Sequence, residues 1–438
     1  MNRYDTPNEI ACVLARHAPT DVRSILDPAV GRGALLGPVL SRLGRLPESI
    51  VCVDSDSRVL RYVSASFRPS LGSRLRLIHA DFLEWSLTAE QYEEGWPFDC
   101  IVMNPPFLGR KKSWIRLNLG REFANNGSGS RFIAVEAAFV ARAITLLRPH
   151  GRLLAVAPAS VVASLTTQWL RDLMLQMGTF RYIHELPRYT FSGVEARIYL
   201  LVYDKGRKKR TVILCNHEPV RPERMAMPRA ELYPDFRLDY GFRQAIKWYS
   251  DVKDSSKDIG WARLCDVVSI YRGMIESPAD REGVVHTVHY RDGFWRAPEG
   301  CSALRKNKPS GGIRKGDLLI KRVGRDCVQS IGKLVGGDGC EFSDCVLILR
   351  PRRGVKSTEL LFALRVLLAW DHGARMLERA TGASYITARE LSALSAPLGL
   401  ANRYRGAYEL YRRAVARRRI DIMVEIEERV RRFLSPKR

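Results

Sequence analysis

The sequence has no apolar run long enough to cross a bilayer, which argues against a helical membrane span. Its opening segment, MNRYDTPNEIACVLARHAP, puts polar residues where a signal peptide needs its apolar stretch, so a soluble, cytoplasmic protein is expected. Cysteine is sparse, with nine among 438 residues and no Cys-x-x-Cys pair. The nearest two, Cys340 and Cys345, have no histidine beside them. That spacing predicts no metal site and favours reduced thiols over disulfides. Acidic residues are also short, 47 against 71 Lys and Arg, leaving a net charge of +24. An excess this large suits a polyanionic partner. Without an apolar anchor, nucleic acid fits better than a membrane, although general arginine richness would give the same total.

What is present begins with a hydrophobic content of 46%, enough for a packed core, over a length that suggests two or three domains. Up to Tyr203, short apolar runs alternate with helical patterns, the mark of a parallel sheet with crossover helices. Strands are predicted at 24–27, 50–54, 76–79, 98–103, 152–157, 182–185 and 196–203, with helices at 34–43, 57–67 and 132–147 among them. The last two strands are joined by a loop, RYTFSGVEARIYLLVY, which predicts an antiparallel final strand. The expected fold is therefore α/β, a Rossmann-like, mostly parallel seven-stranded sheet over residues 1–205. A charged stretch, DKGRKKR, and several prolines then predict a linker over 206–240. Short strands with glycine turns come next, interrupted by one helical stretch, and predict a mixed α+β domain over 241–403. The end, 404–438, reads as one long basic amphipathic helix, with apolar residues near 404, 408, 411, 415, 422, 426, 430 and 433.

The first strand runs into DPAVGRG. Gly31 and Gly33 permit backbone conformations and close approaches that a Cβ would block, next to a helix N-terminus with free N–H groups. The third glycine of a dinucleotide fingerprint is absent, because that place holds Leu36, so NAD is disfavoured. Acidic residues end successive strands: Asp27, Asp54 and, just beyond the third, Asp81 followed by Phe82. A carboxylate at the tip of the second strand can hold two ribose hydroxyls. Asp81 can accept from the amino group of an adenine, with Phe82 beside the ring. The plainer alternative is that these acids cap helices, and for Asp56 that is the preferred reading. The fourth strand ends on Asn104-Pro105-Pro106-Phe107, where two prolines stop the ladder and stiffen the chain beyond it.

In this order, DPAVGRG, VDSD, ADF and NPPF resemble the successive motifs of class I S-adenosylmethionine-dependent methyltransferases. The NPPF quartet is the specific part and is similar to the Asp/Asn-Pro-Pro-Tyr/Phe motif of amino-group methyltransferases. YDTPNEIA, ahead of the glycine loop, resembles a motif of the gamma-class N6-adenine DNA methyltransferases of restriction–modification systems, of the TaqI type. The resemblance implies S-adenosyl-L-methionine as cofactor, held by Thr6, Asp27, Ala29, Gly31, Gly33, Asp54, Asp81 and Phe82. Thr6 is implied at the methionine end; a helix N-cap ahead of Pro7 is nearly as good a use of it, and the two are compatible. The fourth residue of the quartet is Phe107 where Tyr is more usual, which keeps stacking and loses a hydroxyl.

The quartet suggests its own chemistry. An adenine amino group is a poor nucleophile because its lone pair is delocalised into the ring. Two acceptors, the Asn104 side-chain oxygen and the Pro105 carbonyl held by its proline neighbours, would draw the nitrogen toward tetrahedral geometry, while Phe107 stacks on the base. Pro106 completes the rigid segment. The base has to leave the duplex for this. Phe191 resembles a position that contacts the extruded base, with a buried core aromatic as the alternative. No general base is needed, since the methylated product loses its proton readily.

The second domain, through SGGIRKGDLLIKRVGRDCVQSIGKLV and GASYITARELSALSAPL, resembles target recognition domains, which implies double-stranded DNA as partner and, for cleavage, a separate restriction endonuclease. Arg314, Lys315, Lys321, Arg322 and Arg325 are expected on a strand pair as DNA contacts; for any one of them taken alone a solvated charged face is the better reading. The C-terminal helix is expected to pack on this domain with a basic outer face. RNA adenine methylation, glutamine methylation of protein, and a non-catalytic DNA-specificity role on a methyltransferase scaffold are the rival readings.

Overall fold

Strand β1 (Ser24–Asp27) is buried at every position, with Ile25 and Leu26 turned to opposite faces and the polar Ser24 and Asp27 buried at its two ends. The computed structural model describes residues 5–92, 97–106, 114–118, 130–191, 197–206, 209–217, 222–232, 237–273, 283–298, 312–324, 326–336, 339–368, 371–380 and 384–434. They form two units, Met1–Tyr240 and Gly241–Arg438.

In the first unit β1 is joined by β2 (Ser49–Asp54), β3 (Leu75–His79), β4 (Phe98–Met103), an outlying antiparallel hairpin of β5 (Trp114–Asn118) and β6 (Ser130–Ala134), then β7 (Leu147–Pro158), β8 (Gly178–Glu185), β9 (Ile198–Lys205), β10 (Thr211–Asn216) and β11 (Glu223–Pro228). The main sheet has nine strands in the order β11-β10-β8-β9-β7-β4-β1-β2-β3. From β3 to β7 every pairing is parallel; β9 lies antiparallel between β7 and β8. The seven strands expected from the sequence are all present. Residues 206–240, expected as a linker, instead extend the sheet: β10 pairs in parallel with β8, from Ile213 opposite Tyr182 to Asn216 opposite Glu185. The apolar run TVILCN is buried by this pairing.

The sheet separates two helical layers, and strand residues alternate between them with the two-residue period of the pleat. Leu26, Val51, Val53, Ile101, Met103 and Leu153 face α4 (Phe82–Tyr92), α5 (Val135–Leu146) and α7 (Gln168–Met177). Ile25, Ile50, Cys52, Cys100, Val102 and Leu154 face α1 (Asn8–Ala15), α2 (Leu36–Leu40) and α3 (Ser57–Leu71). Numbered in chain order, α6 (Ala159–Ala163) leads from β7 toward α7.

The second unit carries a six-stranded sheet built around Val346–Pro351 and Leu318–Lys321, backed by the buried helix Ser357–Leu368. The C-terminal segment is two helices, Arg405–Ala416 and Ile420–Leu434, where one was expected. Arg418 between them has φ 57°. Arg418 N–H donates to Val415 O and Arg419 N–H to Ala414 O, the paired bonds of a Schellman stop built on arginine in place of glycine. Both helices pack as expected: Tyr408, Tyr411, Met423, Ile426 and Val430 share one cluster with Phe362 of Ser357–Leu368. Cys340 is disulfide-bonded, contrary to the expectation of reduced thiols; the other described cysteines are free. No helix among the described residues is long and apolar enough to cross a membrane.

Candidate active site

The chain leaves β1 toward β2 and β3 on one side and returns to β4 on the other, so the strand order reverses between β1 and β4. Open α/β sheets bind ligands outside the carboxyl ends of the strands at such a switch point. The loop after β1 and the NPP segment after β4 both emerge there.

The loop after β1 is held by backbone bonds rather than by packing alone. Asp27, 1% exposed at the tip of β1, accepts from Ala29 N–H at 3.2 Å. Burial pushes its carboxyl up to about 8; the Ala29 bond opposes this and the nearby Asp54 adds to it. Val30 N–H donates to Val53 O at 3.1 Å and Gly31 N–H to Asp54 Oδ2 at 3.1 Å, which ties the glycine loop to the end of β2. Asp54 Oδ1 accepts from Asp56 N–H at 2.9 Å, so both carboxylate oxygens are oriented by main chain.

The two glycines do different things. Gly31 has φ 53° and open space where a Cβ would stand, with only Ala29 O at 4.0 Å. Gly33 has φ 78°, and a Cβ there would meet the Phe67 ring at 2.6 Å. Gly33 therefore lets the loop pack on α3, while Gly31 lines open space.

Asp81 caps α4: its Oδ1 accepts from Leu83 N–H at 2.8 Å and Glu84 N–H at 3.3 Å. Oδ2 takes no part in either bond. Asp56 caps α3 through Arg58 N–H at 2.9 Å, as the sequence suggested. Phe82 is 2% exposed and packs against Phe139 with centroids 4.9 Å apart, so its ring belongs to the core. Phe191, expected either in the core or against a base, is likewise buried, in the cluster on the α1–α3 side of the sheet. In the same loop Tyr189 is 68% exposed with φ 65°. Sequence reading passed over it, because nothing in RYTF tells which ring turns outward.

At the end of β4, Asn104 and Pro106 are half-buried and Pro105 is buried. Asn104 Nδ2 donates to Thr6 Oγ1 at 2.9 Å. Thr6 makes no cap bond to α1; Pro7 occupies the N-cap position. Phe107 lies outside the described residues, as does Arg325.

The basic residues of the second unit do not form one cluster. Arg314 and Lys315 are exposed on the turn that enters Leu318–Lys321. Lys321 and Arg322 lie at the other end of that strand, with Lys321 Nζ 5.2 Å from the Tyr290 ring centroid. Arg322 bonds Asp344 through its main-chain oxygen and its carboxylate, the latter at 3.0 Å, and Arg272 shares that carboxylate at 3.1 Å. The sequence showed the charges but not their partners.

A glycine loop tied to an acidic strand tip, facing an Asn-Pro-Pro segment across the switch point, defines a class I methyltransferase. The N-6 DNA methylase family model matches residues 1–226, and the chain belongs to that family. Its motif order, with the Thr6 segment ahead of the glycine loop, is that of the gamma class. Among solved structures it is similar to the type IIG restriction endonuclease BpuSI, at 15% identity over 98% of this chain and 65% of that one, with a TM-score of 0.48. It is also similar to a type I restriction-modification methyltransferase subunit from Streptococcus thermophilus, at 19% identity over 49% of this chain and 47% of that one, with a TM-score of 0.39. The M protein of the type I restriction enzyme EcoKI matches at 16% identity, over 49% of this chain and 48% of the other, with a TM-score of 0.36. The chain thus spans about half to two thirds of the length of these structures, 47% to 65%. No curated protein matches it.

Proposed function

We propose that the protein transfers a methyl group from S-adenosyl-L-methionine to N6 of adenine at a specific sequence in double-stranded DNA, within a restriction–modification or related defence system. The observation that carries this reading is the orientation of Asn104. With Nδ2 donating to Thr6, the amide oxygen is the atom assigned to accept from a substrate amino group.

The residues at the switch point fit the cofactor. Asp54 has both oxygens fixed by main-chain donors, the geometry a pair of ribose hydroxyls needs, and Gly31 leaves room beside it. Asp81 Oδ2, on the side not used by the helix cap, is assigned the adenine amino group of the cofactor. Bound there, S-adenosylmethionine supplies an electrophilic methyl group.

Asn104 Oδ1 and the Pro105 carbonyl accept the two N–H bonds of the target amino group and localise its lone pair on nitrogen. The two prolines stiffen the chain that carries these acceptors, so little reorganisation would oppose the reaction. Phe107 is assigned the face of the base by its place in the motif. Phe191, being buried, offers no exposed ring to a base. The proton released after transfer passes to solvent. Arg314 and Lys315, exposed on one turn, are assigned to DNA phosphates.

Incubation with labelled cofactor and DNA, RNA or protein tests the substrate class, and label in DNA at N6 of adenine is expected. Asn104→Ala should lower transfer at least about 100-fold, by loss of one preorganised acceptor, while binding of cofactor and DNA stays within about twofold of wild type. Label in RNA or protein alone would overturn the reading.

A further inference from the structure

The structure gives Thr6 a task other than capping or cofactor contact. It is 6% exposed, and a buried hydroxyl needs a partner. That partner is Asn104 Nδ2 at 2.9 Å, 98 residues away in sequence. The N-terminal segment is thereby tied to the end of β4. Pro7, not Thr6, takes the N-cap position of helix α1, and there is no side-chain cap bond there.

The amide torsion of asparagine is broad, so packing alone defines poorly which side carries the oxygen. Here Nδ2 donates to Thr6 Oγ1, and that bond holds the torsion with Oδ1 turned away from Thr6. We infer that Thr6 is a positioning residue for methyl transfer: it holds the Asn104 amide so that Oδ1, not Nδ2, meets the substrate amino group. This rests on the proposed function above. It assigns Thr6 to the reacting amine through Asn104, and it requires no contact with the methionine end of the cofactor.

Thr6→Ser keeps the acceptor, and Thr6→Ala differs from it by one oxygen. Thr6→Val keeps the shape and removes the acceptor. The measurements are single-turnover methylation of duplex DNA at saturating S-adenosylmethionine, together with equilibrium dissociation constants for S-adenosylmethionine and for DNA. Thr6→Ala and Thr6→Val should slow the saturated rate about 10- to 100-fold relative to Thr6→Ser, the scale of a misaligned reacting group. Both dissociation constants should stay within about twofold, which also shows that the variants fold. Thr6→Ser should stay close to wild type. Equal saturated rates in Thr6→Ser and Thr6→Ala overturn the inference and leave the proposed function standing, whatever happens to cofactor affinity. A wild-type protein that binds the cofactor and methylates no DNA overturns both.

Discussion

Asp27 and a chain of three histidines give the first unit two opposed responses to pH. The folded Asp27 keeps its proton up to about pH 8, whereas the unfolded chain releases it near 4. The native state binds the extra proton through that window, so its contribution to stability falls as pH rises from about 4 to about 8. Asp27→Asn preserves the shape and the acceptor for Ala29 without titrating. Its melting temperature should match wild type near pH 4.5 and exceed it increasingly toward pH 8.5; parallel curves would refute the shift. The histidines run the other way. His184 lies 2.8 Å from His217 and 3.0 Å from His17, nitrogen to nitrogen. Burial, then the arginine Arg152, lowers His17 to about 4; burial, then its two histidine neighbours, lowers His184 to about 3. The unfolded chain takes up protons that the folded one refuses, so stability is lost as pH falls below about 6.5 toward 4. The acid limb should therefore appear in both proteins, and a denaturation curve flat from pH 6.5 to 4.5 would count against the neutral chain. At this scale the sequence showed which residues stand at strand tips, since tips are where apolar runs end. It did not show whether Phe82 and Phe191 turn to the cleft or the core, because a ring beside a strand end serves both equally well.

The elements were legible wherever burial writes a period into the sequence. Continuous apolar runs marked the central strands, whose two faces are both covered. β10 and β11 were missed because charged and proline-rich neighbours outweighed a short apolar run. The C-terminal helices were read as one because their apolar stripe nearly keeps phase across the break, and nothing in the arginine run announces a left-handed residue. Past the break the buried set is Met423, Ile426, Val430 and Leu434, while Phe433 is 65% exposed. Arg418→Gly should stabilise the unit by about 0.5–1 kcal/mol, the relief of left-handed strain less the greater chain entropy of glycine, as read by urea unfolding. The last helix is also locked by charge. Arg365 donates to Glu427 at 2.6 and 3.2 Å and to Ile331 O at 3.2 Å, and Tyr411 donates to the same glutamate at 2.9 Å. Glu427→Gln leaves a buried guanidinium without its counter-charge and should cost about 3–5 kcal/mol. Pairing Arg365→Met with Glu427→Leu should recover most of that loss. A double variant no better than the single would mean that the network's shape, not its charge, holds the helices.

For the molecule as a whole, the excess of 24 positive charges decides affinity only where those charges reach outward. Several arginines do not. Arg152 and Arg181 share Asp204, Arg350 pairs with Asp317, Arg365 with Glu427, and Arg322 with Asp344. A phosphate competing for any of these has first to displace a carboxylate. Arg314 and Lys315 stand exposed on their turn, and the Arg314 main chain, not its guanidinium, bonds Asp317. Each cation that neutralises a phosphate releases counterions and adds close to one unit to the slope of log affinity against log salt. Duplex DNA binding should thus weaken steeply with salt. Arg314→Ala with Lys315→Ala should flatten the slope by about 2, at similar cost on every sequence. Arg322→Ala should leave the slope unchanged and lower the melting temperature, because it removes one of two cations from Asp344. The same slope change from Arg322→Ala would mean that DNA displaces the Asp344 pair. An unchanged slope in the Arg314 and Lys315 variant would place the phosphate contacts on another face.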